Sequence, residues 1–185
     1  GCNVALCGRD AARLEEAAGP LRAAYGDRVL AERCDVLDKA QVEAFHDAVV
    51  ARFGGADILV NNAGQGRLST FADTADEAWG DEFRLKFFSV IHPTRAFLPT
   101  LEKSASAAVV VVNSLLARQP EPHMVATSAL RRRRCAVTSA VGSASPSAPT
   151  SQQFRNTTSG TLRSCATISG VNHSASFVPS ASRAP

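Results

Sequence analysis

Residues 56–64 read ADILVNNAG. The stretch opens as a short apolar run, Ile58-Leu59-Val60, and turns at once into two asparagines, an alanine and a glycine. An apolar run of this length, rich in branched side chains and stopped by turn-forming residues, reads as a buried strand that opens into a polar loop. The kind of sheet it belongs to is decided by its neighbours on both sides.

Upstream, NVALCG (residues 3–8) and RVLAERCDV (residues 28–36) read as two further strands. Between them Asp10 is a plausible N-cap, Leu14, Ala17, Ala18 and Leu21 recur at helical spacing, and Gly26 is placed to end the helix; Gly19-Pro20 predicts a weak or kinked middle. Asp38 then caps a second helix, with Val42, Phe45, Val49 and Phe53 on one apolar stripe and Gly54-Gly55 at its end. Downstream, a long helical pattern runs from about Thr74 to Leu101 with Trp79, Phe83, Phe87, Val90 and Leu98 on its stripe and a kink expected at Pro93. AAVVVVNS (residues 107–114) follows as a fourth strand, apolar enough to be buried on both faces.

Strands that alternate with helices in this way imply right-handed crossovers and a parallel sheet, an α/β doubly wound domain. Ligands of such sheets bind beyond the carboxyl ends of the strands. The residues to watch are therefore Arg9, Asp35, residues 61–64 and Ser114.

NNAG after an apolar strand, with VVVVNS downstream and CGRD and CDVLD upstream, resembles the short-chain dehydrogenase/reductase family over residues 1–131. The resemblance implies a Rossmann-type fold and hydride transfer between a nicotinamide cofactor and a carbonyl or alcohol. It places Arg9 against the adenosine 2′-phosphate, which favours NADP(H) with NAD as the alternative, because a guanidinium binds phosphate bidentately. It also places Asp35 and Val36 at the adenine, and Asn62, Ala63 and Gly64 in the loop beside the cofactor, where glycine permits close backbone approach.

Catalysis in that family rests on Asn, Ser, Tyr and Lys. Ser114 matches the Ser, but the positions of the Tyr and Lys hold Thr127 and Arg131, and Lys86 stands where the Asn would be. No realignment repairs this, since the only tyrosine is Tyr25 and no lysine follows Lys103. A threonine hydroxyl is a poor proton donor beside a phenol, and an arginine does not reproduce a lysine's compact charge. Lys86 interrupts an apolar stripe, so it is either a site cation in place of the Asn or a lysine that snorkels to solvent. His123 offers a titrating group in the loop before Thr127.

The family's glycine-rich phosphate loop does not occur in the sequence, which implies an incomplete Rossmann-type sheet lacking its first strand. That strand joins the two halves, so its neighbours are expected to pair directly, leave a gap or borrow a strand from another chain. Beyond the truncated domain at 1–131, residues 132–185 predict a low-complexity, disordered tail dominated by Ser, Ala, Thr and Pro. The last acid is Glu121, and a GC-rich gene read out of frame would give the same composition. The alternative function is thus a non-catalytic fragment or pseudoenzyme.

The 185 residues carry a net charge of +3 and five cysteines without CxxC spacing, which argues against a zinc site, any other metal site or a disulfide framework. Nothing in the sequence resembles a leader or a membrane span, and a cytoplasmic protein is expected. Arg131 to Arg134 lack the interleaved aromatics of a nucleic-acid arm, Phe154 and Phe177 being the only ones in the tail, so no nucleic-acid partner is expected. The expected partners are a small carbonyl or alcohol and, through the helix around Trp79, a second copy of the chain.

Overall fold

The expected strands form where the apolar runs place them: β1 (Asn3–Gly8), β2 (Val29–Arg33), β3 (Ile58–Asn61) and β4 (Ala108–Val111). The structure, a computed structural model, describes residues 1–132 and the backbone of one further strand, β5 (Ser164–Ile168). Helices α1 (Ala11–Tyr25), α2 (Lys39–Phe53) and α3 (Asp76–Leu101) connect β1 to β4, and residues 125–132 are again helical.

Local chemistry explains the helix ends. Asp10 Oδ1 accepts the N–H groups of Ala12 and Arg13 at 3.0 and 3.1 Å, and Asp38 Oδ1 those of Ala40 and Gln41 at 3.0 and 3.3 Å, satisfying donors that a first turn leaves without helical partners. Gly54 ends α2 with φ 78°, a left-handed cap that glycine adopts without strain. Neither Pro20 nor Pro93 ends its helix: α1 and α3 run on through them. Each proline removes one donor, and tertiary packing outweighs that loss, Pro93 itself being buried.

All pairings in the sheet are parallel and the strand order is β2-β1-β5-β3-β4. β5 lies between β1 and β3, with Asn3 opposite Ser164 and Cys7 opposite Ile168 on one side, and Ile58 opposite Cys165 and Asn61 opposite Ile168 on the other. The slot expected to stand empty, close up or take a strand from another molecule is thus filled by the chain's own residues 164–168. The expectation of disorder fails at this segment, because two facing strand edges carry backbone donors and acceptors that an extended segment satisfies on both sides at once. The remainder of the expected tail, 133–163 and 169–185, lies outside the described residues.

One face of the sheet shares a core with α2 and α3. Ala5, Cys7 and Leu59 meet Val42, Phe45, Val49, Phe97 and Leu101 there, and the Phe45 and Phe97 rings stand 6.0 Å apart. Two expectations about burial are corrected. The buried face of α3 is Glu82, Leu85, Lys86, Ser89, Val90, Pro93, Thr94, Phe97 and Leu101, so Val90 is placed as expected while Phe83 is 46% exposed and stacks on Phe87 at 4.5 Å on the outer side. Aromatic residues marked the wrong stripe because they cover one another at i, i+4 spacing. β4 is a sheet edge among the described residues, and Val110 is 41% exposed rather than covered on both faces.

Candidate functional site

A cavity of about 470 Å³ opens beyond the carboxyl ends of β1 and β2, where a parallel sheet places its ligands. Of the residues the resemblance placed at the cofactor, Arg9, Asp35, Val36, Ala63 and Gly64 line this cavity and Asn62 does not. Gly8-Arg9-Asp10 turns from strand into helix there, so Arg9 enters from the start of α1. Arg13, which the sequence reading missed, lies in the first turn of α1 and lines the same cavity. Asp35 Oδ1 accepts the Leu37 N–H at 2.9 Å and its own N–H donates to Gln41 Oε1, so this residue also shapes the turn that frames the cavity.

Two thiols form part of the wall. Cys7 and Cys34 are both buried, and the Cys7 thiol donates to Cys34. That contact holds the Cys34 thiol below its usual range and, together with burial, pushes Cys7 above it. The cavity wall suits the adenosine end of a phosphorylated dinucleotide: Arg9 and Arg13 carry guanidinium groups that bind phosphate, and Gly64 has no side chain to hold a ligand off its backbone. No glycine-rich phosphate loop stands among the described residues.

The expected catalytic positions fall into two groups. Ser114 follows β4 and opens a short turn in which its Oγ accepts the Leu116 N–H at 3.3 Å. Neighbouring Asn113 donates from Nδ2 to the carbonyl oxygen of Arg131 at 3.2 Å, tying the end of β4 to the helical residues 125–132. Lys86 and Thr127 lie deeper. Thr127 is 0% exposed; its Oγ1 donates to Glu82 Oε2 at 3.0 Å and accepts the Arg67 N–H at 3.1 Å.

Lys86 is also 0% exposed, which excludes the snorkelling alternative. Its Nζ pairs with Glu82 Oε2 at 3.4 Å and donates to the Gln65 carbonyl oxygen. Glu82, which the sequence reading did not single out, is the shared partner, and an i, i+4 Glu-Lys pair was the available signal. Burial pulls the half-buried Arg131 guanidinium below its ordinary range, while the Glu82 carboxylate opposes that shift. His123 is exposed, and its carbonyl oxygen accepts the Ser69 N–H at 2.8 Å, a structural contact.

The family model for short chain dehydrogenases matches residues 1–132. The chain belongs to the short chain dehydrogenase family. Within this family it is 59% identical to a short chain oxidoreductase of Pseudomonas aeruginosa PAO1 that contains an atypical catalytic center; the match covers 76% of this chain and 54% of that one, with a TM-score of 0.73. The NADPH-bound structure of that oxidoreductase matches with a TM-score of 0.72. L-Sorbose reductase from Gluconobacter frateurii, complexed with NADPH and L-sorbose, is 31% identical over 77% of this chain and 54% of its own, with a TM-score of 0.72. The uncharacterized oxidoreductase DltE of Bacillus subtilis is 36% identical over 122 residues, 65% of this chain and 46% of that protein. This short chain dehydrogenase thus spans about half the length of the relatives it matches. Among its described residues no helix is long and apolar enough to cross a membrane, and no group of His, Cys, Asp and Glu gathers as a metal site.

Proposed function

We propose that the chain is the cofactor-binding part of an NADP(H)-dependent oxidoreductase acting on a small carbonyl or alcohol in the cytoplasm. The cavity beyond β1 and β2, whose wall includes Arg9, Arg13, Ala63 and Gly64, carries this reading. The arginines hold the adenosine 2′-phosphate, Asp35 and Val36 flank the adenine, and the residue 62–64 loop borders the rest. Bound nicotinamide supplies or accepts the hydride. Ser114 polarises the substrate oxygen and Arg131 adds positive charge where negative charge develops, while Lys86, called a site cation from the sequence, is committed to Glu82 and the Gln65 carbonyl. Thr127 stands in the tyrosine's place as a hydroxyl held by Glu82.

A titration of the full chain with NADPH, followed by fluorescence, tests this reading. Saturable binding is expected, and the single substitution Arg9→Ala weakens it by roughly 10- to 100-fold, the range of about 1.5–3 kcal/mol for a hydrogen bond to a charged group. NADH binding changes little, since it lacks the 2′-phosphate. No saturation at millimolar NADPH would defeat the proposal.

One observation favours a second reading, a nucleotide-binding chain without turnover: the Thr127 hydroxyl is wholly buried and already committed to Glu82. NADPH binding with no hydride transfer to any of a panel of small ketones and aldehydes selects it. A single substrate-dependent loss of NADPH absorbance rejects it.

A further inference from the structure

The buried ion pair between Glu82 and Lys86 calls for an explanation other than stability, because replacing such a pair by apolar side chains is often neutral or stabilising. Its setting supplies one. Lys86 donates to the carbonyl oxygen of Gln65, and Thr127 accepts the N–H of Arg67 at 3.1 Å. Glu82 Oε2 joins the two arms, accepting a hydrogen bond from Thr127 Oγ1 at 3.0 Å and pairing with Lys86 at 3.4 Å. A threonine hydroxyl has one O–H to donate; with that O–H directed at Glu82, the oxygen's lone pairs are left to receive the Arg67 amide. Glu82 therefore sets which way the Thr127 hydroxyl works. The residue between the two gripped positions is Gly66, where a Cβ would come within 2.7 Å of Met124 Cε, so the loop lies close against the segment that leads into Thr127.

We propose that Glu82 is a positioning residue: through Lys86 and Thr127 it clamps the backbone of residues 65–67 and so fixes the loop that presents Ala63 and Gly64 to the cavity. The consequence for affinity rests on the cofactor reading above; the clamp itself does not.

The test compares Thr127→Val, which keeps the shape and loses the hydroxyl, with Thr127→Ser, which keeps the hydroxyl and loses a methyl group. Amide hydrogen exchange over residues 62–70 of the full chain, without cofactor, is expected to accelerate about tenfold in T127V and to stay near wild type in T127S. NADPH dissociation constants should follow the same order, about tenfold weaker in T127V. A role in packing alone predicts the reverse ranking, with Ser the worse variant, and that result overturns the clamp; so does wild-type exchange in T127V. Should T127V fail to fold, Glu82→Gln is read in its place, with accelerated exchange confined to residues 62–70 expected and unchanged exchange overturning the proposal. A wild-type chain that shows the exchange pattern but binds no NADPH removes the cofactor reading and leaves the clamp standing.

Discussion

Replacing Ala166 by proline tests the most unexpected feature of the fold, the tail strand at the centre of the sheet. Ala166 is the middle residue of β5, opposite Ala5 on β1 and Leu59 on β3. A proline there removes one N–H from a ladder flanked on both sides, and central strands do not tolerate it. The orphaned acceptor costs about 1–3 kcal/mol, and displacement of the ring from the strand raises the total to about 3 kcal/mol or more. For a chain of this size each kcal/mol lowers the melting temperature by about 2–4 °C. Ala166→Pro should therefore melt roughly 6–12 °C below wild type when followed by circular dichroism, with faster amide exchange in β1 and β3. Ala11→Pro, at the exposed first position of α1 where proline is tolerated, is the control and should melt with the wild type. If A166P melts within about one degree of wild type and β1 stays protected, β5 does not bridge the sheet.

Two other outcomes follow from the helices. Hydrogen bonds from the Gln41 side chain and backbone hold the Asp38 carboxyl below its ordinary value, so its contribution is present above about pH 4, the unfolded value, and fades as the pH falls through the folded one. The stability advantage of wild type over Asp38→Asn, read from urea midpoints, should be clear at pH 7 and shrink as the pH falls below about 4; a constant gap refutes the assignment. The outer face of α3, where Phe83 stacks on Phe87 with 46% of Phe83 exposed, is proposed as the surface on which two copies pair. Sedimentation at tens of micromolar should show a dimer that Phe83→Ser dissociates, and a wild-type monomer rejects that surface.

The cavity wall was legible because it is built from strand ends. Once the apolar runs of residues 3–8, 28–36 and 56–64 read as parallel strands, the polar residues at their carboxyl ends had to meet at one edge of the sheet, and Arg9, Asp35, Val36, Ala63 and Gly64 do line one cavity. The deeper group was harder to read. Lys86 stood out as a charge on an apolar stripe, yet its burial and its partners Glu82 and Gln65 depend on how α3 is rotated. That rotation could not be taken from Trp79, Phe83 and Phe87, since large aromatics can cover one another on an outer face.

The sequence by itself determined the strand-helix alternation, the caps at Asp10 and Asp38 and the family, because these are local in the chain. Only the tertiary structure decided what fills the centre of the sheet and how the buried charges pair. Residues 164–168 carry little strand signal of their own; two unpaired strand edges, distant in sequence, are what turn them into β5. Glu82 likewise becomes a hub only when helix α3 and the helical residues 125–132 close over the loop at 65–67.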